Sequence, residues 1–93
     1  MTYELEFERR ALKEWHKLGH TVREQFKKKL SVRLKNPRVP AARLHGHTDR
    51  YKIKLRASGY RLVYQVIDEK IVLLVIAVGK RESSEVYQMA DIR

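Results

Sequence analysis

The chain has 93 residues, 43% hydrophobic and 34% charged, a composition typical of a single folded domain over residues 1–93 and not of a disordered tail. It has no cysteine, which excludes a disulfide scaffold, a thiolate nucleophile and a zinc site built on sulfur. Twenty-one Lys and Arg against eleven Asp and Glu give a formal charge of +10, which favours an anionic partner, with nucleic acid first.

The N-terminal segment predicts a strand followed by a helix. Tyr3, Leu5 and Phe7 alternate with charged residues, as they do in a half-buried strand. From Arg9 the apolar residues recur at helical spacing, and Gly19 predicts the end of this first helix.

A second helix is predicted directly after that break. Thr21-Val22-Arg23-Glu24 matches a capping box, so we expect the helix to open there, and Asn36-Pro37 ends it. Its buried stripe is predicted to consist of Val22, Phe26, Leu30 and Leu34. Residues 37–48 then read as a loop, because they contain two prolines and a glycine.

The second half predicts three strands and a short helix. Tyr51–Arg56 and Tyr60–Ile67 alternate, whereas Ile71–Val78 is apolar throughout, as in a central strand that is covered on both faces. Asp68–Lys70 is a tight turn, and Ser83–Ile92 has room for one or two helical turns. The longest apolar run is far below the roughly 20 residues that span a bilayer, so we expect a cytoplasmic protein without a membrane segment.

The predicted architecture is therefore α+β. An N-terminal strand and a helical hairpin pack on an antiparallel meander, and a short C-terminal helix follows. The first strand lies either at one edge of the sheet or in its middle. No internal repeat, linker or low-complexity segment divides the chain.

The basic residues are concentrated in the middle of the chain. Between Phe26 and Ile67 there are twelve basic residues and a single acid, Asp49. A four-residue loop, 56–59, places Lys54 opposite Arg61 and keeps the apolar residues on one face. Lys52 then joins those two cations on the other face.

Two interpretations of this cationic face remain open. Mutual repulsion lowers lysine pKa values and favours an amine that acts as a base near neutral pH, with an arginine from Gly79-Lys80-Arg81 at the rim and Tyr87 as a phenol or stacking platform. Alternatively, the face binds RNA passively and Tyr87 only docks the C-terminal segment. His45-Gly46-His47 has chelating spacing, but no third ligand is nearby, so we expect no metal and no cofactor.

Four segments resemble RelE, the family of ribosome-dependent mRNA interferases in bacterial type II toxin–antitoxin systems. They are RRALKEW at 9–15, YKIKLR at 51–56, GYRLVY at 59–64 and VGKRE at 78–82. The resemblance extends over nearly the whole chain. It implies a toxin of the microbial ribonuclease-like fold that cuts the mRNA codon in the ribosomal A site.

The same resemblance implies the site residues. The family's catalytic positions fall on Lys52, Lys54, Arg61, Arg81 and Tyr87, and the expected reaction is metal-independent attack of a 2′-OH on the adjacent phosphorus. Which lysine is the base stays open. Contacts to ribosomal RNA are expected from a further basic set, which consists of Lys27, Lys28, Lys29, Arg33, Arg43, His45 and Arg56.

The resemblance also implies partners and leaves rivals. A cognate RelB-like antitoxin silences the toxin, and operator DNA is bound only through the antitoxin complex, which represses its own operon. His45 departs from the family pattern, because relatives tend to carry arginine there. The alternatives are a ParE-like toxin that binds gyrase and a passive basic module that coats nucleic acid.

Overall fold

The computed structural model describes residues 2–46, 49–80 and 85–93, without the side chain of Glu85. The helices and strands within these ranges are Glu4–Phe7 (β1), Arg9–Lys17 (α1), His20–Lys35 (α2), Arg50–Leu55 (β2), Tyr60–Ile67 (β3), Val72–Lys80 (β4) and Glu85–Asp91 (α3). Short 3-10 turns occupy Pro40–Ala42 and Asp68–Lys70. The predicted α+β class is confirmed. None of the helices in the described ranges is long and apolar enough to cross a membrane.

Helix α1 begins at a carboxylate cap. The Glu8 carboxylate accepts hydrogen bonds from the backbone N–H groups of Arg10 and Ala11, both at 3.0 Å. A negative charge at this end also interacts favourably with the helix dipole. Burial alone would raise the pKa of Glu8, but the bonds from Arg10 and Ala11 outweigh burial and lower that pKa. The cap therefore favours the ionised carboxylate.

The break between α1 and α2 differs from the predicted one. Leu18 and Gly19 are both extended, with φ of −68° and −63°, so α1 ends just before Gly19 as predicted, without the left-handed glycine that ends many helices. The N–H of Arg23 donates to the Gly19 carbonyl at 3.0 Å, which makes His20 the first helical residue. The predicted capping box is wrong, because Thr21 already lies inside the first turn and no side chain caps α2.

The sheet is mixed, with the order β1-β4-β3-β2. Strands β2, β3 and β4 form the predicted antiparallel meander, and β4 is central as expected. The position of β1, which the sequence left open, is at the edge, where it runs parallel to β4 with Glu4 beside Val72. A parallel neighbour requires a crossover, and α1, α2, β2 and β3 all lie between the two strands in the chain.

One extra residue interrupts the pairing of β3 with β4. Val63 pairs with Ala77, but the next residue, Tyr64, pairs with Val75, so Ile76 is bulged out of the ladder. As a result Ile76 and Ala77 both join the apolar cluster on the α3 side, whereas Val75 joins the main core. The bulge thus lets one strand present two consecutive side chains to the same face.

The main core lies between the sheet and the helical hairpin. Trp15 is its hub, with ring centroids 5.2 Å from Phe7 and 6.2 Å from Phe26. On the opposite face, α3 covers a smaller cluster that consists of Val63, Ile76, Ala77, Val86 and Ala90. Both faces of β4 are therefore buried, which is why its sequence is continuously apolar.

A compact set of charges ties the N-terminus to two loops. Arg38 contacts the carboxylate of Asp49 at 3.0 Å and that of Asp68 at 2.8 Å, and the Tyr3 hydroxyl donates to Asp68 at 2.6 Å. Arg38 and then Tyr3 lower the pKa of Asp68. We call Tyr3, Arg38, Asp49 and Asp68 the Arg38 network.

Candidate active site

Strands β2 and β3 bring three cations to one face of the sheet. Lys54 pairs directly with Arg61, and two residues earlier Lys52 pairs with Val63. Side chains two residues apart on a strand lie on the same face, so all three cations belong to one surface. We call Lys52, Lys54 and Arg61 the cation face.

The turn that sets this register is the predicted four-residue loop. Residues 56–59 separate β2 from β3, and Ile53 pairs with Leu62 in the core beneath the cation face. Gly59 closes the loop at φ +78°, a left-handed conformation that favours glycine, and its N–H donates to the Leu55 carbonyl at 2.9 Å. The register predicted from the hydrophobic pattern is confirmed.

Arg61 is a buried cation. It is only 7% exposed, and its hydrogen bond runs to a neutral acceptor, the Tyr60 carbonyl, at 3.3 Å. Among the described residues, none of the three cations forms a salt bridge with a carboxylate. Removing a guanidinium from water without a counter-charge costs free energy. Such an arrangement is typical of a site where an anionic ligand supplies the missing charge.

The cations also perturb one another. Lys52 is the largest cause of a lowered pKa of Lys54, followed by partial desolvation and by Arg61. This is the direction that the sequence predicted from like charges on one face. At a given pH, more of the Lys54 amine is therefore neutral than in an isolated lysine, which suits it to proton transfer.

Helix α3 lies on the same face of the sheet and carries Tyr87. The half-buried Tyr87 packs on the cluster that contains Val63, the residue paired with Lys52. The Cβ of Val86 lies 3.7 Å from the point where a Cβ on Gly79 would be, so the helix sits close above β4. The structure thus brings four of the five predicted catalytic residues to one face. The fifth, Arg81, lies outside the described residues.

Two arginines that the sequence did not single out hold α3 in place. Arg93 contacts the Glu14 carboxylate at 2.8 and 3.1 Å and donates to the Ile76 carbonyl at 2.9 Å. Arg50 donates to the Ala90 carbonyl at 3.0 Å, near the end of α3. Glu14 raises the pKa of Arg93. We call Glu14 and Arg93 the Arg93 clamp. No sequence signal links them, because 79 positions separate the pair.

The residues predicted to contact RNA flank the cation face. Lys28 and Lys29 are exposed on α2, and Lys27, beside them, contacts Glu24 at 3.0 Å. The remaining predicted contacts are Arg33 on α2, Arg43 and His45 before β2, and Arg56 after it.

Open grooves connect that basic surface to the cation face, and two of them border Lys52. One of about 270 Å³ runs between α2 and β2, and its charged lining consists of Lys29, Arg33, Lys52, Lys54 and Arg56. The other, of about 580 Å³, is lined by Arg43, His45 and Lys52 among others. Lys52 borders both grooves, so it stands where they meet. A chain of phosphates lying along either groove would reach the cation face.

The structure also bears on the metal hypothesis. Within the described ranges, no three His, Cys, Asp or Glu side chains converge on one point. His45 is exposed beside Gly46, and its predicted partner, His47, lies outside the described residues.

The class of protein to which the chain belongs follows from its match to a known family. Residues 5–85 match the family described as the ParE toxin of the type II toxin-antitoxin system, parDE. This match covers most of the chain, and it places the chain among the toxins of type II toxin–antitoxin systems.

Individual proteins that are highly similar to the chain identify its family within that class. The chain is 68% identical over 90 residues to the mRNA interferase toxin RelE of Escherichia coli, an alignment that covers 97% of this chain and 95% of the relative. A variant of E. coli RelE in the free state matches with a TM-score of 0.93 and 66% identity, over 100% of this chain and 98% of that one. The toxin in the intact E. coli RelBE complex matches with a TM-score of 0.83 and 68% identity, over 86% and 98%. The chain belongs to the RelE family, as its sequence motifs predicted.

Proposed function

We propose that this chain is a ribosome-dependent endoribonuclease that cleaves mRNA in the ribosomal A site and thereby inhibits translation. The observation that carries the proposal is the cation face: a buried arginine and two lysines, unpaired with acids among the described residues and bordered by basic grooves. The E. coli relative at 68% identity is named an mRNA interferase, which supports RNA as the substrate.

The proposed reaction is an internal transesterification. A lysine amine, Lys52 or Lys54, takes the proton of a nucleotide 2′-OH, and the 2′ oxygen attacks the adjacent phosphorus. The bond from phosphorus to the 5′ oxygen breaks, and the ammonium form of the other lysine donates a proton to that oxygen. The products are a 2′,3′-cyclic phosphate and a 5′-OH. The lowered pKa of Lys54 supports an amine in the role of base.

The arginines and the tyrosine have supporting roles. Arg61 and Arg81 stabilise the charge that develops on the phosphorane, because a guanidinium is always protonated and binds phosphate oxygens in pairs. Tyr87 stacks on a base or orients it and assists proton transfer. Since these groups perform the chemistry, the reaction is proposed to need no metal.

The proposed dependence on the ribosome follows from the weak acid–base chemistry of the catalytic residues. The proposed catalytic residues include no histidine and no carboxylate, so alignment of the 2′-OH with the leaving oxygen must supply much of the rate. A ribosome that holds the codon in place provides that alignment. Six of the flanking basic residues are proposed to bind ribosomal RNA, namely Lys27, Lys28, Lys29, Arg43, His45 and Arg56.

The proposed partners follow from the family. The E. coli toxin RelE forms a complex with an antitoxin in a solved structure. We propose that a RelB-like antitoxin binds and silences this chain in the cytoplasm, and that the pair binds operator DNA through the antitoxin and represses its own operon.

The test is cleavage of an mRNA positioned on programmed 70S ribosomes with an empty A site. Naked mRNA, the Arg81→Ala protein and a reaction with a metal chelator run in parallel. We expect a cut within the A-site codon only on ribosomes, unaffected by the chelator and lost in Arg81→Ala. Intact mRNA on ribosomes would overturn the proposal.

A second candidate function has one observation in its favour. The matching family is described as the ParE toxin, and a ParE-like toxin that binds gyrase is the rival that the sequence leaves open. Inhibition of gyrase supercoiling by the purified protein, with no cleavage of mRNA, would favour this rival. Salt-dependent RNA binding without a cleavage product would instead favour the passive binding module.

A further inference from the structure

The side chain of Arg33 points into the protein. Its Nη1 group donates to the backbone carbonyl of Lys52 at 3.1 Å and to the hydroxyl of Tyr64 at 2.9 Å. The guanidinium carbon lies 5.8 Å from the centre of the Tyr64 ring. One side chain on α2 therefore contacts both β2 and β3. Neighbouring basic residues of the same helix, such as Lys28 and Lys29, are exposed.

Tyr64 makes this contact rigid. The side chain is fully buried, and its hydroxyl donates to the Pro37 carbonyl just beyond the end of α2. Its ring also stacks on Tyr51, with centroids 5.7 Å apart. The hydroxyl is thus fixed from two sides before it accepts the bond from Arg33. A buried polar group with satisfied partners holds its neighbours in one arrangement.

The carbonyl that Arg33 reaches lies on the open edge of the sheet. β2 is an edge strand, with β3 on one side only. The Arg50 carbonyl accepts a bond from the N–H of Leu44, so the backbone groups of alternate residues, Arg50 and Lys52, point away from β3. At Lys52 the outward carbonyl would lack a strand partner, and Arg33 supplies the donor.

We propose that Arg33 is a positioning residue for Lys52. Arg33 fixes the backbone from which the lysine side chain reaches the scissile phosphate. This inference rests on the proposed function, because it concerns the same reaction. The cation face depends on the relative placement of three side chains, and Lys52 belongs to an edge strand. An error of about 1 Å in such a placement reduces rates by up to about 10²-fold.

This role differs from the one that the sequence predicted, direct contact with ribosomal RNA, and the two have opposite kinetic signatures. A residue that binds RNA through its charge affects KM and the salt dependence. A residue that positions Lys52 affects kcat and leaves KM unchanged. The matched control is Lys28→Gln, which removes the same charge from an exposed position of the same helix.

The experiment compares Arg33→Gln, Arg33→Lys and Lys28→Gln in A-site cleavage on programmed ribosomes, each checked for an unchanged melting profile. We expect about a 10-fold lower kcat with KM within about twofold for Arg33→Gln, and a raised KM with normal kcat for Lys28→Gln. Arg33→Lys should recover only part of the rate, because an ammonium lacks the planar donor geometry. A raised KM alone in Arg33→Gln, or full activity in Arg33→Lys, would overturn the proposal.

A second measurement needs no ribosome. The ¹³C shift of the Lys52 carbonyl, read through the amide of Ile53, should change in Arg33→Gln and stay the same in Lys28→Gln. If the wild-type protein does not cleave mRNA, the proposed function fails. An unchanged Lys52 carbonyl shift in Arg33→Gln would overturn the positioning role separately. Should Arg33→Gln fail to fold, Arg33→Lys gives the same two readouts.

Discussion

The Arg38 network and the cation face arrange similar charges in opposite ways. In the network, one arginine lies between two carboxylates, and a tyrosine hydroxyl completes the set. On the cation face, Lys52, Lys54 and Arg61 are neighbours without an acid among the described residues. The first arrangement stabilises the fold, whereas the second opposes it and persists because the core beneath it fixes the strands.

The contrast gives a physical criterion for function. Opposite charges in contact attract each other in the folded chain whatever it binds, and an exposed pair adds a modest amount to stability. Like charges in contact become favourable only when an anion arrives. By this criterion the Arg38 network and the Arg93 clamp, in which arginines contact acids, are structural, and the cation face is the proposed site.

Placing a carboxylate on the cation face breaks the contrast most directly. In Lys54→Glu the amine is lost, and the new carboxylate repels phosphate and faces Arg61. We expect cleavage to fall by about 10²–10⁴-fold, the usual contribution of a general base. The assay is A-site cleavage on programmed ribosomes. Lys70→Glu, the same change in the exposed turn after β3, should retain activity within about twofold, and an equal loss there would show that net charge alone matters.

Weakening the Arg93 clamp tests whether the ion pair between Glu14 and Arg93 influences the cation face by holding α3 in place. Arg93→Gln leaves Glu14 without its guanidinium, so α3 should open more often. We expect hydrogen exchange of the α3 amides to accelerate by about 10-fold. Cleavage should fall because Tyr87 occupies its position on the sheet for less of the time. Arg9→Gln, an exposed change on the same helix as Glu14, is the control. Unaltered exchange in Arg93→Gln would contradict the clamp.

Removing an acid from the Arg38 network should affect stability and not catalysis. Asp68→Asn is expected to lower the Tm by about 2–4 °C at pH 7, because exposed ion pairs contribute modestly. The pKa of Asp68 is lowered in the fold, so its stabilising effect is present above the unfolded value of 3.8 and is lost as the pH falls through the lower folded value. Thermal melts from pH 7 to pH 2 should therefore converge with wild type. A constant difference would be incompatible with this origin.

The cation face has the opposite pH behaviour. The pKa of Lys54 is lowered in the fold, so the unfolded chain binds more protons as the pH approaches 10.5, and the repulsion is relieved above that value. Lys54→Gln should raise the Tm slightly at pH 7, and the gain should shrink as the pH rises past 10.5. Melting curves at pH 7 and pH 11 measure both effects. A lower Tm at pH 7 would contradict net repulsion.

The sequence predicted the elements whose pattern is local. The β2–β3 register followed from the hydrophobic alternation, because a slip of one residue would turn Ile53 and Leu62 out of the core. The start of α2 was predicted wrongly, because Thr21 and Glu24 have capping-box spacing while the Gly19 carbonyl accepts the first helical bond. The capping-box spacing and the helix start at Gly19 imply different first residues for α2, and the sequence alone did not decide between them.

Long-range contacts were beyond the sequence. The position of β1 depends on parallel pairing with β4, which is 68 residues away at Glu4 and Val72. The inward course of Arg33 depends on a carbonyl at Lys52 and a hydroxyl at Tyr64, and a basic run does not distinguish such an arginine from its exposed neighbours. The predicted catalytic and RNA-binding roles remain predictions, while the structure places Lys52, Lys54, Arg61 and Tyr87 on one face of the sheet.

The bulge in β4 makes the strand tolerant of a lost residue at one point. Deleting Ile76 would bring Val75 next to Ala77, which already face opposite sides of the sheet, so strict alternation would return and the residues that follow would keep their faces. The loss is the apolar contact that Ile76 makes in the cluster beneath α3. Deleting Leu74 instead would place Leu73 next to Val75, which share the main core, and one of the two would turn out of it. A deletion at 76 should therefore be tolerated far better than one at 74.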